Sequence, residues 1–167
     1  MKKLLFLLLS FFPLLCFGET ADVSVCFTPG NACDMRLISE INSAKHTIEV
    51  QAYQLTSPSI EIALANAYES RVKVRIILDK SQLRGRYPSA IYFHNMGIPT
   101  WIDNKVRIAH NKVMIIDGKE VITGSYNYSR SAQNNNAENM VIIKSSSVAT
   151  EYHQNFESRL LVSEKIQ

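Results

Sequence analysis

Residues suited to phosphate chemistry are concentrated between positions 107 and 139. His110 and Lys112 are two positions apart on a predicted strand, so their side chains project from the same face of that strand. Asp117 ends the strand in a turn, where its carboxylate would orient or pair with nearby groups. Ser125 and Asn127 follow the returning strand and add a hydroxyl and an amide. The spacing therefore predicts one small site that combines an imidazole, an ammonium and neutral donors.

These residue types indicate a phosphoryl reaction. Lysine, serine and asparagine all donate hydrogen bonds, which suits the non-bridging oxygens of a phosphate. A histidine among them can attack phosphorus or move a proton near neutral pH. Glu138 lies just before the next predicted strand, 139–144. The sequence contains no carboxylate cluster for magnesium and no His/Cys set for zinc, so we expect neither a metal nor another cofactor.

Alternating strand-like and helix-like segments would position this site. β-type runs occupy residues 23–27, 47–53, 72–78, 100–103, 112–116, 120–123 and 139–144. Helical patterns separate the first four runs, and a helix at 148–161 closes the chain. The Asp-Gly turn at 117–118 predicts a hairpin. We therefore expect one α/β domain at 19–167, with a mostly parallel mixed sheet and helices on both of its faces.

Residues 1–18 have the pattern of a secretory signal peptide. Two lysines precede an almost wholly apolar run at 4–17, which is shorter than the roughly 20 residues of a comfortable membrane span. Gly18 permits cleavage before Glu19, and the mature protein would then be periplasmic or secreted, with no stable membrane span. A degraded lipoprotein box around Cys16 and an uncleaved anchor are the alternatives.

Two cysteines remain after residue 18. Cys26 and Cys33 are seven positions apart around a Pro-Gly turn. In an oxidising compartment such a pair is typical of a small disulfide loop, and we expect that bond. Two reduced, partly buried thiols are the alternative, whereas a zinc site lacks a second His or Cys pair at suitable spacing.

Overall charge gives no strong argument for nucleic acid. The chain has 18 Lys and Arg against 15 Asp and Glu, and removal of two lysines with residues 1–18 leaves a net charge near +1. Attraction to phosphates must therefore come from local clustering. The best candidates for binding a phosphate backbone are Lys80, Arg84, Arg86 and Arg130. Tyr87 and Tyr92 are available for stacking on bases, and a solvated basic loop is the alternative.

The arrangement His110-x-Lys112-x4-Asp117, followed by Gly-Ser-x-Asn at 124–127 and by Glu138, resembles the HKD signature of the phospholipase D superfamily. Similarity to the small exported bacterial endonucleases of that superfamily extends over most of the mature chain. It includes the Phe-Thr-Pro turn at 27–29, the segment 53–56, the strand end at 77–79 and Gly-Ile-Pro at 97–99. The resemblance implies a phospholipase D-like fold and phosphodiester hydrolysis.

The resemblance also implies individual roles. His110 would be the nucleophile that forms a phosphohistidine, and Lys112 would bind the phosphate oxygens with help from the downstream hydroxyl and amide. Asp117 and Glu138 would orient or tune the histidines. The family mechanism uses two HKD motifs, and this chain has one. A homodimer in which two motifs face each other is therefore expected.

The expected substrate is DNA, with single strands included, or RNA. Because the superfamily applies the same chemistry to lipids, cleavage of phospholipid headgroups is an alternative, and it predicts an exposed apolar rim or a retained anchor. A nucleic-acid-binding protein without catalytic activity is a second alternative. The intact His110, Lys112 and Asp117 argue against that second alternative.

Overall fold

In the computed structural model, an eight-stranded sheet runs through the described part of the chain, residues 20–30, 32–84 and 88–166. Its strands, in spatial order, are β1 (Asp22–Thr28), β7 (Glu138–Lys144), β6 (Glu120–Gly124), β5 (Lys112–Ile116), β2 (Thr47–Ala52), β3 (Lys73–Asp79), β4 (Thr100–Asp103) and β8 (Glu164–Lys165). The helices are α1 (Cys33–Ser43), α2 (Pro58–Glu69), α3 (Ser89–Asn95), α4 (Arg130–Asn134) and α5 (Ser146–Leu160). A 3₁₀ turn, Lys80–Leu83, follows β3.

The sheet is mixed, and the expectation of mostly parallel pairing is wrong. Among the described strands, parallel pairs are confined to β2–β3 and β3–β4. The pairs β2–β5, β5–β6, β6–β7, β1–β7 and β4–β8 are antiparallel. A tight turn explains the β5–β6 pair, because strands joined in this way must run in opposite directions. The other antiparallel pairs join strands that are farther apart in sequence and are set by tertiary packing. The predicted hairpin is confirmed, with Asp117 and Gly118 at φ 52° and 62°.

Both faces of the sheet are covered by helices, as expected. Successive side chains alternate between the faces. Ile76 and Leu78 of β3 pack in the core beneath α1, α2 and α3, whereas Ile77 packs with Ala149 and Phe156 of α5. The same alternation holds in β5. Met114 and Ile116 pack in the first core, and Val113 and Ile115 pack against α5 in the second. One apolar core therefore covers each face of the sheet.

The predicted disulfide is present between Cys26 of β1 and Cys33 of α1, with a Cα–Cα separation of 5.7 Å. Both cysteines are buried in the core. The bond joins the edge strand β1 to the helix that packs behind it.

The expected signal peptide, residues 1–18, lies outside the described residues. Within 20–30, 32–84 and 88–166, none of the helices combines the length and the apolar character needed to cross a bilayer.

Candidate active site

His110 and Lys112 are brought together at the start of β5. Lys112 opens the strand and pairs with Ala52 of β2, and His110 lies in the loop just before it. The Lys112 Nζ is 3.1 Å from Nδ1 and 3.2 Å from Nε2 of His110, and it donates to the His110 carbonyl at 3.0 Å. The lysine is buried, with 6% of its surface exposed, whereas the histidine is exposed. The predicted pairing of imidazole and ammonium is therefore seen in the structure.

Tyr53, at the end of β2, forms one wall of this pair. Its ring centroid is 4.6 Å from that of His110, and the Lys112 Nζ lies 5.2 Å from the same tyrosine ring. The Tyr53 backbone N–H also donates to the carbonyl of Asn111 at 2.7 Å. Burial lowers the pKa of Lys112, and the carboxylate of Glu138 opposes that shift. Sequence reasoning placed Tyr53 in the region of family resemblance but gave it no role.

Asp79, the last residue of β3, fixes the loop that carries His110. Its Oδ2 accepts from the backbone N–H of Ala109 at 2.8 Å, and its Oδ1 accepts from that of Ser81 at 2.9 Å. Burial alone would raise the pKa of Asp79, but these hydrogen bonds outweigh it and lower the pKa. Sequence reasoning did not assign this role, although an acid at the carboxyl end of a buried strand was a usable signal.

Ser125 and Glu138 meet on the other side of the site. The Ser125 Oγ donates to Glu138 Oε2 at 2.6 Å and accepts from the backbone N–H of Asn139 at 3.0 Å. Asn136 donates to Glu138 Oε1 at 2.9 Å. Gly124 comes before this group at φ 138°, and a Cβ there would lie 2.4 Å from the Asn139 carbonyl oxygen. Only glycine therefore allows β6 and β7 to approach closely enough to form the pair.

Asn127 lies in the loop after β6 and is half-buried. Its Oδ1 is buried and has no hydrogen-bond partner among the described residues. The neighbouring Tyr128 is anchored to the end of β2, since its carbonyl accepts from the N–H groups of Thr56 and Ser57. The Asn127 amide is therefore held near the carboxyl end of β2, where it is available to a ligand.

Asp117 is not part of this site, and its expected role beside the histidine is wrong. It follows the far end of β5, and five residues at about 3.4 Å each separate it from Lys112 by roughly 17 Å. Its carboxylate accepts from the backbone N–H groups of Lys45, His46 and Thr47 at 2.7–2.9 Å. Burial would raise the pKa of Asp117, but these bonds lower it. Asp117 joins the hairpin turn to the start of β2.

The predicted phosphate-binding cations are distributed around the carboxyl end of β3 and the start of α4. Lys80 and Arg84 are exposed in and after the 3₁₀ turn, and Lys80 Nζ donates to the Val106 carbonyl at 3.1 Å. Arg130 is exposed at the first turn of α4. Arg86 and Tyr87 lie outside the described residues. Lys80 is therefore placed next to the loop that leads to His110.

Within the described residues, the side chains that could share a metal ion are not at His110. Glu49, His153 and Glu157 place their ligand atoms within 4.8 Å of one another on the α5 side of the sheet. Arg75 donates to both Glu49 and Glu157, and His153 Nδ1 contacts Glu49 at 2.9 Å. The guanidinium already forms ion pairs with both carboxylates, so we assign this cluster a structural role.

The geometry supports nucleophilic displacement at a phosphate. An exposed imidazole lies against a buried ammonium, and the Glu138 carboxylate, which accepts from Ser125, is close enough to oppose the shift in the pKa of that ammonium. The ammonium can bind the phosphoryl oxygens, and the imidazole can attack phosphorus or donate a proton.

Both the sequence and the fold of this chain are similar to those of known proteins. A sequence profile described as "Cardiolipin synthase, PLD-like domain" matches residues 37–160. A phospholipase D from Rickettsia prowazekii (strain Madrid E) is 41% identical over 146 residues, which are 87% of this chain and 71% of that protein. Nuc, a phospholipase D family member from Salmonella typhimurium, superposes with a TM-score of 0.83 at 32% identity, covering 89% of this chain and 99% of that one. NucT from Helicobacter pylori shares the fold, with a TM-score of 0.80 at 24% identity, covering 88% of this chain and 100% of that one.

Proposed function

The chain belongs to the phospholipase D superfamily and is a phosphodiester hydrolase, and we propose that it is a metal-independent nuclease that cleaves DNA or RNA. The observation that carries the proposal is the exposed His110 ring in contact with the Lys112 ammonium. Exposed cations, Lys80 among them, adjoin the same loop and suit a polyanionic strand. Likeness to small exported endonucleases over most of the mature sequence adds support.

The proposed reaction has two steps, formation of a phosphohistidine and its hydrolysis by water. A ring nitrogen of neutral His110 attacks phosphorus, a P–N bond forms, and the P–O bond to the leaving group breaks. A second, protonated histidine gives its proton to the departing oxygen. That histidine then takes a proton from water while the water oxygen attacks phosphorus and the P–N bond breaks. One phosphomonoester and one hydroxyl result, and both histidines regain their starting protonation.

The second histidine is the His110 of another copy of the chain. The sequence has a single His-x-Lys-x4-Asp motif, and neither His46, His94 nor His153 follows that pattern. His110 is exposed just before the inner strand β5, at the end of the sheet where β2 finishes, which allows a symmetric partner to face it. The proposed enzyme is therefore a homodimer with one composite site.

The proposed location is the periplasm or the exterior of the cell. Residues 1–18 have the composition of a cleavable export signal. The Cys26–Cys33 disulfide fits an oxidising compartment.

A second candidate, hydrolysis of phospholipid headgroups, is favoured by one surface feature. Val23, Val25 and Phe27 lie on one face of β1, and each is at least 50% exposed. Phe27 pairs with Asn139, the neighbour of Glu138, so this apolar face leads to the edge of the site. It matches the apolar rim expected of a lipid-cleaving enzyme, and a relative bears the name phospholipase D.

One assay tests these alternatives. Labelled single- and double-stranded DNA and RNA, and phosphatidylcholine vesicles, are incubated in excess EDTA with wild type, His110→Ala and the matched control His94→Ala. Cleavage of nucleic acid that is lost only in His110→Ala is the expected result. Cleavage that survives His110→Ala contradicts the mechanism. Hydrolysis of lipid alone selects the second candidate, and binding of DNA without cleavage by wild type indicates a non-catalytic protein.

A further inference from the structure

A pocket of about 740 Å³ opens between the start of α2 and helix α3. Its size is within the range of small-molecule sites. The wall residues that matter here are Thr56, Glu61, Pro88, Ser89, Tyr92 and Asn95. No lysine or arginine is present among the described residues that line it. The described part of the wall therefore offers a phosphate no cationic partner, and a carboxylate inside would repel it.

The pocket is linked to the catalytic pair through the segment that follows β2. Tyr53, whose ring is 4.6 Å from that of His110, is three residues before Thr56, so at most about 10 Å of chain separates them. Thr56 also donates its backbone N–H to the carbonyl of Tyr128, next to Asn127. A strand that places one phosphate at His110 can therefore direct a neighbouring nucleotide into the pocket.

Two polar side chains, Glu61 and Ser89, line this space. Ser89 is 2% exposed, and its hydroxyl interacts with the nearby Glu61 carboxylate. Glu61 is half-buried and has no salt bridge to a described lysine or arginine. Burial raises the pKa of Glu61, against a smaller opposing effect of the nearby Ser89 hydroxyl. A half-buried carboxylate without a cationic partner among the described residues is poorly solvated, so a ligand that donates hydrogen bonds to it gains affinity.

The remaining wall is apolar and partly aromatic. The half-buried ring of Tyr92 lines the pocket together with Pro88. Burial raises the pKa of Tyr92, with further contributions from the carboxylates of Glu61 and Glu69, so its hydroxyl stays protonated. An aromatic ring of this kind offers a stacking surface for a flat ligand.

We propose that this pocket binds a nucleobase of the strand being cleaved, with the amino-bearing edge of the base against Glu61 and guanine preferred. This inference rests on the proposed nuclease function. Guanine presents two adjacent donors, N1–H and the 2-amino group, which match the two oxygens of the Glu61 carboxylate that Ser89 helps to orient. Cytosine and adenine present one amino group. Thymine and uracil place carbonyl oxygens on both sides of their single N–H, and a carboxylate repels those oxygens.

The test measures cleavage of labelled single-stranded oligo-dT in which one thymine is replaced by guanine, cytosine or adenine. For wild type, we expect cleavage at a fixed distance from the guanine to exceed cleavage of all-thymine DNA about tenfold. The ratio of the two rates is the readout, so a general loss of activity does not affect it. Glu61→Gln and Ser89→Ala should each reduce this ratio towards one. Glu69→Gln, which removes the same charge from an exposed position of the same helix, should leave the ratio unchanged.

The outcomes separate this inference from the function on which it rests. Cleavage that ignores base identity, or a guanine preference that persists in Glu61→Gln, overturns the pocket assignment and leaves the nuclease intact. Absence of cleavage with every oligonucleotide overturns the nuclease and the pocket together. Impaired hydrolysis of phosphatidylcholine by Glu61→Gln, with no effect on DNA, would show that the pocket accepts a lipid ammonium group instead.

Discussion

The Oδ2 atom of Asp79 accepts a hydrogen bond of 2.8 Å from the backbone N–H of Ala109, the residue that precedes His110. This bond connects the end of β3 to a loop 30 positions later in the chain. The loop is otherwise exposed from residue 105 to 108, so few other contacts determine where the imidazole lies. Asp79 therefore positions the loop that carries His110.

Replacement of Asp79 should impair catalysis more than stability. A hydrogen bond to a charged acceptor contributes about 1.5–3 kcal/mol, and loss of that amount from positioning lowers kcat about tenfold or more. We expect Asp79→Asn to reduce kcat with little change in KM, as measured by steady-state cleavage. Asp103→Asn is the matched control, because Asp103 is a buried acid at the end of β4 that pairs with Arg159. An equal loss of kcat in both variants would contradict the positioning role.

Replacement of Asp117 should reduce stability more than catalysis. In Asp117→Asn the new amide N–H₂ faces the backbone N–H of Lys45, and the charge that attracts the other two donors is lost. We expect the free energy of unfolding to fall by about 2 kcal/mol while kcat per folded molecule stays nearly constant. Urea unfolding and cleavage assays measure the two quantities, with Asp22→Asn, an exposed acid on β1, as the control.

The stabilisation by Asp117 should also depend on pH. Because its pKa is lowered in the folded state, its contribution is complete above the ordinary Asp value of about 3.9 and is lost as pH falls through the folded pKa. The stability difference between wild type and Asp117→Asn should therefore shrink in acid. A large loss of kcat at neutral pH in a stable Asp117→Asn protein would return this residue to the catalytic machinery.

Phosphate binding by Lys112 should add an alkaline limb of its own to the pH profile. Burial lowers the pKa of Lys112, so the ammonium loses its proton below the ordinary lysine value of about 10.4. The quantity kcat/KM, which reports the free enzyme, should fall as pH rises through this lowered pKa. Glu138 opposes the shift, so Glu138→Gln should move the alkaline limb to lower pH. An alkaline limb that moves to higher pH in Glu138→Gln would show that another group titrates.

Local patterns predicted the parts of the site that are adjacent in sequence. The His110–Lys112 pair follows from alternation on one strand, and the Cys26–Cys33 bond follows from a short loop. Asp117 was assigned to the site because it is only five positions after Lys112 in the sequence. In an extended strand those five positions span the length of β5, so the two side chains lie at opposite ends of it. Asp79 and Glu61 depend on contacts made by the folded chain, and no local spacing reveals those contacts.

The strand order has a similar explanation. Buried runs such as β2 and β3 indicate strands but do not identify their neighbours. The insertion of β5 beside β2 depends on tertiary packing, in which Met114 and Ile116 complete the core formed with Val50 and Ile48. For this reason the mixed sheet with helices on both faces could be predicted, whereas its largely antiparallel pairing could not.

The central claim is that two copies of His110 act on one phosphodiester, and subunit mixing tests it most directly. Wild-type and His110→Ala chains are combined in a series of ratios at constant total concentration, under conditions that allow subunits to exchange, and nuclease activity is measured in EDTA. If the composite site is correct, a mixed dimer is inactive and activity follows the square of the wild-type fraction. Activity that falls in direct proportion to the wild-type fraction would show that each chain works alone, and it would contradict the shared site.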